Sequence, residues 1–368
     1  MRTWIEIKEK NIENNYKEFR KLIGPKCLLM AVVKSNAYGH NLLDFSLIVE
    51  KLQVDWLGVD SIIEAETLRK LGVKKPMLVL GYTVKHKIKE AIKNNVSITV
   101  ADFPTLKEIR KEKSNKKLNI HIKVDTGMHR QGFYLKELPR VIKEVKKLPV
   151  NIEGIYTHFA APKNPAFPKE TEDQIKEFKE AIKLFSEFNG IIKHASSTSG
   201  TIVFPNGRFD MVRIGIGMYG IWPSAEVKAA FDRKINLKPV LSWKSILGEL
   251  KKIPKGGRIG YDFTETLTRN SKVAVIPIGY WHGFPRALSS IGEVIIRGKK
   301  AKVLGRVSMD MISVDVTDIK EARIGDEVTL IGKEKSAEIT ADEIARITGT
   351  SAYEIVTRLN PRIKRVVT

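Results

Sequence analysis

Short apolar, β-branched runs alternate with amphipathic stretches of helical period over roughly the first 220 residues. The runs at 27–33, 55–60, 76–81, 96–101, 118–125, 150–158, 191–197 and 211–220 predict strands. Segments between them, such as SIIEAETLRKLG, predict helices, and Gly72 suits a C-terminal stop. About eight strands with intervening helices predict an α/β fold, an N-terminal (β/α)8 TIM-like barrel. A doubly wound open sheet is the alternative, but no GxGxxG follows the first run to mark a dinucleotide site. From about residue 236 the segments become closely spaced and strand-like, divided by Gly and Asp turns, which predicts a mostly β C-terminal domain. The early TWIEI also has strand character and precedes the first barrel strand. Residues 1–10 are therefore expected to join the β domain, with the barrel over 11–235 and the β domain over 236–368.

Composition narrows the function classes. No apolar segment approaches the roughly 20 residues needed to cross a bilayer, and the start lacks a signal-peptide apolar region, so a soluble cytoplasmic protein is expected. Cys27 is the single cysteine, which rules out an internal disulfide and a cysteine-rich metal site. No HxxxH pair supplies a metal site of another kind, and no metal is expected. The formal charge of +22 raises nucleic acid as a partner. The lysines, however, recur with glutamates on polar helix faces such as DQIKEFKEAIKLFSEF, without a nucleic-acid-binding signature, so a solvated surface is expected instead.

In an α/β barrel the C-terminal ends of all strands meet at one mouth, where active sites are built. Lys34 ends the first run in LLMAVVKSNAYGH, Lys123 and Arg130 flank the end of the fifth, and His158 ends the sixth. Ser197 and Thr198 end the seventh, and Arg213 lies in the eighth. A lysine such as Lys34 suits either a buried strand whose last side chain snorkels to water or an amine made nucleophilic by its neighbours. Several cations facing one cavity are costly unless an anion joins them. Barrels bind phosphate after strands seven and eight, and here those loops carry the hydroxyls of HASSTSG and the close-backbone GIG of 215–217. Such hydroxyls are also ordinary turn formers, and GIG also suits close packing at a barrel corner. A phosphorylated ligand beside a nucleophilic lysine suggests pyridoxal phosphate held as a Schiff base.

Six segments, AVVKSNAYGHN, KVDTGMHRQG, YTHFA, VRIGIGMYG, PIGYWHGFPR and GRVSMDMISVDVT, resemble in their order the motifs of alanine racemase, a fold-type III pyridoxal-phosphate enzyme family, and span nearly the whole chain. The resemblance implies that Lys34 carries the cofactor and acts as one catalytic base, with Tyr261 of a second subunit as the other. It implies that Tyr38, Ser197, Thr198, Gly215 and Ile216 hold the phosphate, and that Arg213, supported by His158, faces the pyridine nitrogen. Arg130 and Met309 would hold the substrate, with Lys123, often carbamylated in the family, steadying Arg130; Tyr280 and Asp310 are supporting residues. A homodimer with shared active sites follows, acting on a small amino acid and supplying D-alanine for peptidoglycan.

Racemisation requires removal of the α-proton from one face and its return on the other, so two bases on opposite faces suffice. An arginine at the ring nitrogen keeps its own proton and weakens the electron sink, which favours racemisation over transamination. The chain departs from the family pattern at several places. Ser197-Thr198 stands for Asn-Ser, His282 for an acidic residue, Ser308 for cysteine and His129 for glycine. Pro361 occupies the place of a tyrosine that narrows the substrate entrance, so activity on lysine or serine is an alternative expectation. A fold-type III decarboxylase is opposed by Arg213, and a non-catalytic pyridoxal-phosphate-binding protein by the β domain.

Overall fold

The computed structural model describes residues 1–368. After strand β1 (Thr3–Ile7) come β2 (Leu28–Val32), β3 (Trp56–Val59), β4 (Met77–Val79), β5 (Ser97–Val100), β6 (Leu118–Lys123), β7 (Val150–Tyr156), β8 (Ile192–His194) and β9 (Met211–Ile214). β2 to β9 form a closed barrel in chain order, and all their pairings are parallel. The eight-stranded α/β barrel expected from the hydrophobic pattern is thus present, with Met30 of β2 beside Arg213 of β9 where it closes. The eighth run ends sooner than its apolar character suggests. Gly215 leaves the extended conformation and a single 3-10 turn, Ile216–Tyr219, follows.

Local signals place the intervening helices. Ser61 caps the helix Ile62–Lys70 by accepting the Glu64 N–H, and Gly72, at φ 93°, takes the chain out of it. Asp102 does the same for Phe103–Ile109 through the Thr105 N–H. The long helix Lys169–Leu184 buries Gln174, Ile175, Phe178 and Ala181, spaced for one face.

Strands of the second texture follow: β10 (Leu241–Ile246), β11 (Glu249–Ile253), β12 (Arg258–Ile259), β13 (Glu265–Thr266), β14 (Ser271–Ile276), β15 (Glu293–Ile296), β16 (Lys299–Leu304), β17 (Ile312–Asp315), β18 (Glu327–Glu334), β19 (Ala337–Ile339) and β20 (Arg365–Val367). β12 and β13 pair with each other; the rest, with β1, make one sheet in the order β11-β14-β17-β16-β15-β18-β10-β1-β20, with β19 beside β18. β1 lies antiparallel to β10 and parallel to β20. Two short helices, Ala341–Thr348 and Ala352–Thr357, accompany this mostly β part. The chain folds as two compact units, one of Met1–Asn11, Tyr38–Asn41 and Pro239–Thr368, the other of Ile12–Ala37 and Leu42–Lys238. No helix is long and apolar enough to cross a membrane.

The barrel's interior is only partly apolar. Met30, Trp56, Leu78 and Met211 form one buried cluster. Elsewhere inward positions are polar: His121 and Lys123 alternate with Ile120 and Ile122 along β6, and all four are buried. His121 meets His194 across the interior, since β7 separates their strands, and Thr99 of β5 meets Tyr156 of β7 in the same way.

Candidate active site

Lys34 follows β2 and opens a turn of unusual hand. Ser35, Asn36, Ala37 and Tyr38 have φ of 56°, 56°, 51° and 52°. Left-handed backbone costs about 1–2 kcal/mol for each residue with a Cβ. A run of this kind persists only where the surroundings over-determine it. Glu64 supplies much of that restraint: its Oε1 accepts the Ser35 N–H at 2.8 Å, and its Oε2 accepts the Asp60 N–H at 2.8 Å. Asn36 Oδ1 accepts the Leu42 N–H at 2.9 Å, and the Ala37 N–H donates to the Val33 carbonyl at 2.8 Å. The Lys34 amine lies 3.6 Å from Asp60 Oδ1 with 38% of its side chain exposed, so it is loosely held and accessible at the strand end.

Arg213 is buried, and one guanidinium nitrogen donates to His194 Nδ1 at 2.9 Å. Its second donates to the carbonyls of Thr157 and Ala195 at 2.9 and 2.7 Å and to His158 Nδ1 at 3.1 Å. Because a guanidinium only donates, His194 and His158 must both present a bare Nδ1. Burial first, then the charge of Arg213, push both imidazoles well below the usual histidine range. They are therefore neutral acceptors. Burial also lowers Arg213, to about 10, which leaves it a cation near neutral pH.

Lys123 is buried beneath the same mouth, its amine 4.4 Å from the centre of the Tyr156 ring. A ring face attracts an ammonium, but burial and then the charges of Arg213 and Arg130 outweigh it and push the amine well below the usual lysine value. Arg130 is exposed on a loop organised by Asp125, whose Oδ1 accepts the N–H groups of Gly127, Met128 and His129, each at 3.0 Å. Opposite, Ser197 precedes the short helix Thr198–Val203, and Thr198 Oγ1 accepts the Gly217 N–H at 3.2 Å. A Cβ on Gly217 would stand 2.5 Å from the Phe19 ring and 2.7 Å from Thr198 Cγ2, so only glycine lets the turn of Gly215 and Ile216 pack there.

The remaining expected residues belong to the other compact unit. Tyr38 packs its ring 6.1 Å from that of Tyr353, and burial pushes its phenol up to about 12. Gly39, next in sequence, would set a Cβ 2.0 Å from the Val356 carbonyl oxygen, which makes glycine obligatory there. Tyr261 is 70% exposed in a turn where Asp262 and Phe263 have φ of 57° and 51°. Met309 is exposed, and its carbonyl accepts the Trp281 N–H at 3.0 Å while that of Ser308 accepts the Tyr280 N–H at 3.0 Å. His282 closes this turn by accepting the Gly279 N–H at 3.2 Å on Nδ1, 4.0 Å from Asp310 Oδ1.

The barrel unit thus collects Lys34, Lys123, Arg130 and Arg213 around His158, since the charge of each lowers that imidazole. Sequence reasoning missed the residues that hold these groups, namely Glu64, Asp125, Tyr156 and His194. The last two were legible as the aromatic before YTHFA's Thr157 and the histidine of KHASS, both at strand ends.

The chain matches the family models for the N-terminal domain of alanine racemase over residues 7–223 and for its C-terminal domain over residues 240–367. It is 37% identical to the alanine racemase of Leptospira interrogans, over 99% of this chain and 95% of that protein. It is 39% identical to that of Methanococcus maripaludis, over 99% of this chain and 98% of the other. Among solved structures it resembles the alanine racemase of Clostridium difficile 630 with a TM-score of 0.95 at 32% identity, covering 100% of this chain and 96% of that one. It resembles the Bacillus anthracis alanine racemase with bound L-Ala-P with a TM-score of 0.93 at 32% identity, covering 100% and 95%.

Proposed function

Because the chain belongs to the alanine racemase family, we propose that it is a pyridoxal-phosphate-dependent isomerase that interconverts L- and D-alanine and supplies D-alanine for peptidoglycan. The observation that carries this reading is the pairing, at one barrel mouth, of an accessible strand-end amine with a cluster of basic groups, Lys123 and Arg213 buried and Arg130 exposed. Arg213, Lys123 and Arg130 are opposed by few carboxylates, a balance that suits an anionic, phosphorylated aldehyde. In this reading Lys34 carries the cofactor through its amine. Thr198 and the backbone of Gly215 and Ile216, with Ser197 and Tyr38, hold the phosphate, and Arg213 faces the ring nitrogen with His158 supporting it. When bound, the group supplies an electron-withdrawing ring that stabilises negative charge at the substrate α-carbon.

The chain's own residues do the proton work. Lys34 Nζ removes or returns the α-proton on one face, and Tyr261 Oη of a second copy of the chain does so on the other. The wide exposure of Tyr261 in one copy supports its use by another, and hence a homodimer. Arg130 and Met309 hold the substrate, with Tyr280 and Asp310 supporting that side. Arg213 remains protonated near neutral pH, so it gives the ring nitrogen a hydrogen bond rather than a proton, which favours racemisation. Burial and the charges of Arg213 and Arg130 favour the uncharged form of the Lys123 amine, the form that adds to carbon dioxide with release of a proton; the carbamate anion would then steady Arg130, which a bare ammonium would repel.

Chiral chromatography after incubation with L-alanine, L-lysine and L-serine, with a visible absorbance scan, tests the proposal. D-alanine dominating the panel supports it, and Lys34→Ala and Tyr261→Phe should each lower turnover at least about a hundredfold. A yellow protein that made only another D-amino acid would overturn alanine as substrate. Pro361, in place of a narrowing tyrosine, favours secondary activity on larger amino acids.

A further inference from the structure

The hydrogen bonds behind Arg213 run further than its contact with His194. His194 Nε2 lies 2.9 Å from His121 Nδ1, and His121 Nε2 lies 3.9 Å from Glu153 Oε2, the oxygen that also accepts the Ser97 hydroxyl. Donor logic fixes the direction of the whole series. Arg213 donates to His194 Nδ1, so the His194 proton is on Nε2 and points at His121 Nδ1. His121 must then carry its own proton on Nε2, which is buried without a hydrogen-bond partner; the carboxylate oxygen facing it, Glu153 Oε2, stands 3.9 Å away, a few tenths of an ångström beyond hydrogen-bond reach. If one ring reversed, donor would face donor at the next link, so the two rings keep their tautomers together or lose them together.

Two backbone features bring Glu153 to this place. The register of β6 against β7 pairs Ile120 with Ile152 and His121 with Gly154, so Glu153 is the extra residue of a bulge, a device that re-aims a side chain. A Cβ at position 154 would stand 2.3 Å from His121 Nδ1, so glycine makes room for the ring. Glu153 side-chain exposure is 23%, against none for His121, which puts the carboxylate at the outer end of the series. Its partner Ser97 is the first residue of β5, away from the mouth.

We propose that Glu153 is a positioning residue for the barrel-mouth site: its carboxylate takes up the otherwise unpartnered Nε2–H of His121 and so, with Arg213 as donor at the other end, holds His121 and His194 in one tautomer and Arg213 in its orientation. Its consequence for catalysis rests on the racemase reading above, whereas its effect on the tautomers does not. The test is two-bond nitrogen–proton NMR on the purified full-length protein labelled with 15N-histidine, seven residues in all, together with steady-state racemisation of alanine. In the unaltered protein His121 and His194 should both show the Nε2–H form. Glu153→Leu, which keeps bulk but no acceptor, should lose that pattern at His121 and lower kcat about tenfold with KM held within about twofold. Glu153→Gln keeps an acceptor oxygen and should restore both readouts, and it serves if the leucine variant does not fold. An Nδ1–H form of His121 in the unaltered protein overturns the proposal, as does a leucine variant with unchanged tautomers or unchanged kcat, or a glutamine variant no better than leucine. Absence of racemase activity in the unaltered protein would remove the catalytic reading while the tautomer spectra still decided the role of Glu153.

Discussion

Single side chains in this barrel are set by who can donate to whom. Arg213 has no acceptor, so every nitrogen it touches is forced bare, and His158 and His194 are held neutral. Arg213→Lys would keep charge but lose the fork that serves two histidines and two carbonyls, and a fall in kcat of at least about tenfold is expected by steady-state assay. Lys123, low in basicity between two arginines, should show a mass increase equal to one carbon dioxide in intact-protein mass spectra taken near neutral pH in bicarbonate, and lose it on acidification. Strand-end lysines, arginines and hydroxyls were legible in the sequence because they stand at or just beyond the ends of short apolar runs. Glu64 and Glu153 were not, since their partners lie far from them in the chain or depend on a bulge that no composition reveals.

Among elements, the left-handed turn after β2 stores the most backbone strain, and it lies directly beside Lys34. Glu64→Ala removes the acceptor of the Ser35 and Asp60 N–H groups, and a stability loss of about 1–3 kcal/mol is expected in urea unfolding. The turn was hidden from sequence reading: Ser35, Asn36, Ala37 and Tyr38 carry no glycine to signal positive φ, and the segment is held by residues outside it. The opposite error came at β9, where alternating glycine and apolar residues read as strand through residue 220, although the extended backbone stops at Ile214. Barrel strands were otherwise easy to place, since they are short apolar runs separated by stretches of helical period.

For the whole molecule, the chief pH liability is the set of buried neutral histidines. His121 is held at about 3 by burial, and His158 and His194 are shifted the same way. Unfolded, each would bind a proton below the ordinary histidine value of about 6.5. The unfolded state then binds more protons than the folded one, so stability falls as pH drops from about 6.5 toward about 3, with each histidine contributing up to about 1.4 kcal/mol per pH unit. Urea unfolding at a series of pH values checks this; a stability flat between about pH 6 and about pH 4 would contradict it. The net charge of +22 adds self-repulsion, so added salt should raise the unfolding midpoint at neutral pH.

The position of β1 has a consequence in time. It emerges from the ribosome before any barrel strand, yet its neighbours β10 and β20 follow after the entire barrel has been made. For most of synthesis Thr3–Ile7 is a strand without a sheet, with Ile5 and Ile7, both fully buried at the end, exposed to the cell. The barrel closes from strands adjacent in sequence, whereas this sheet waits on the most distant pairing in the chain. Pulsed hydrogen exchange during refolding should therefore protect the amides of β2 to β9 first and those of β1 and β20 together and last.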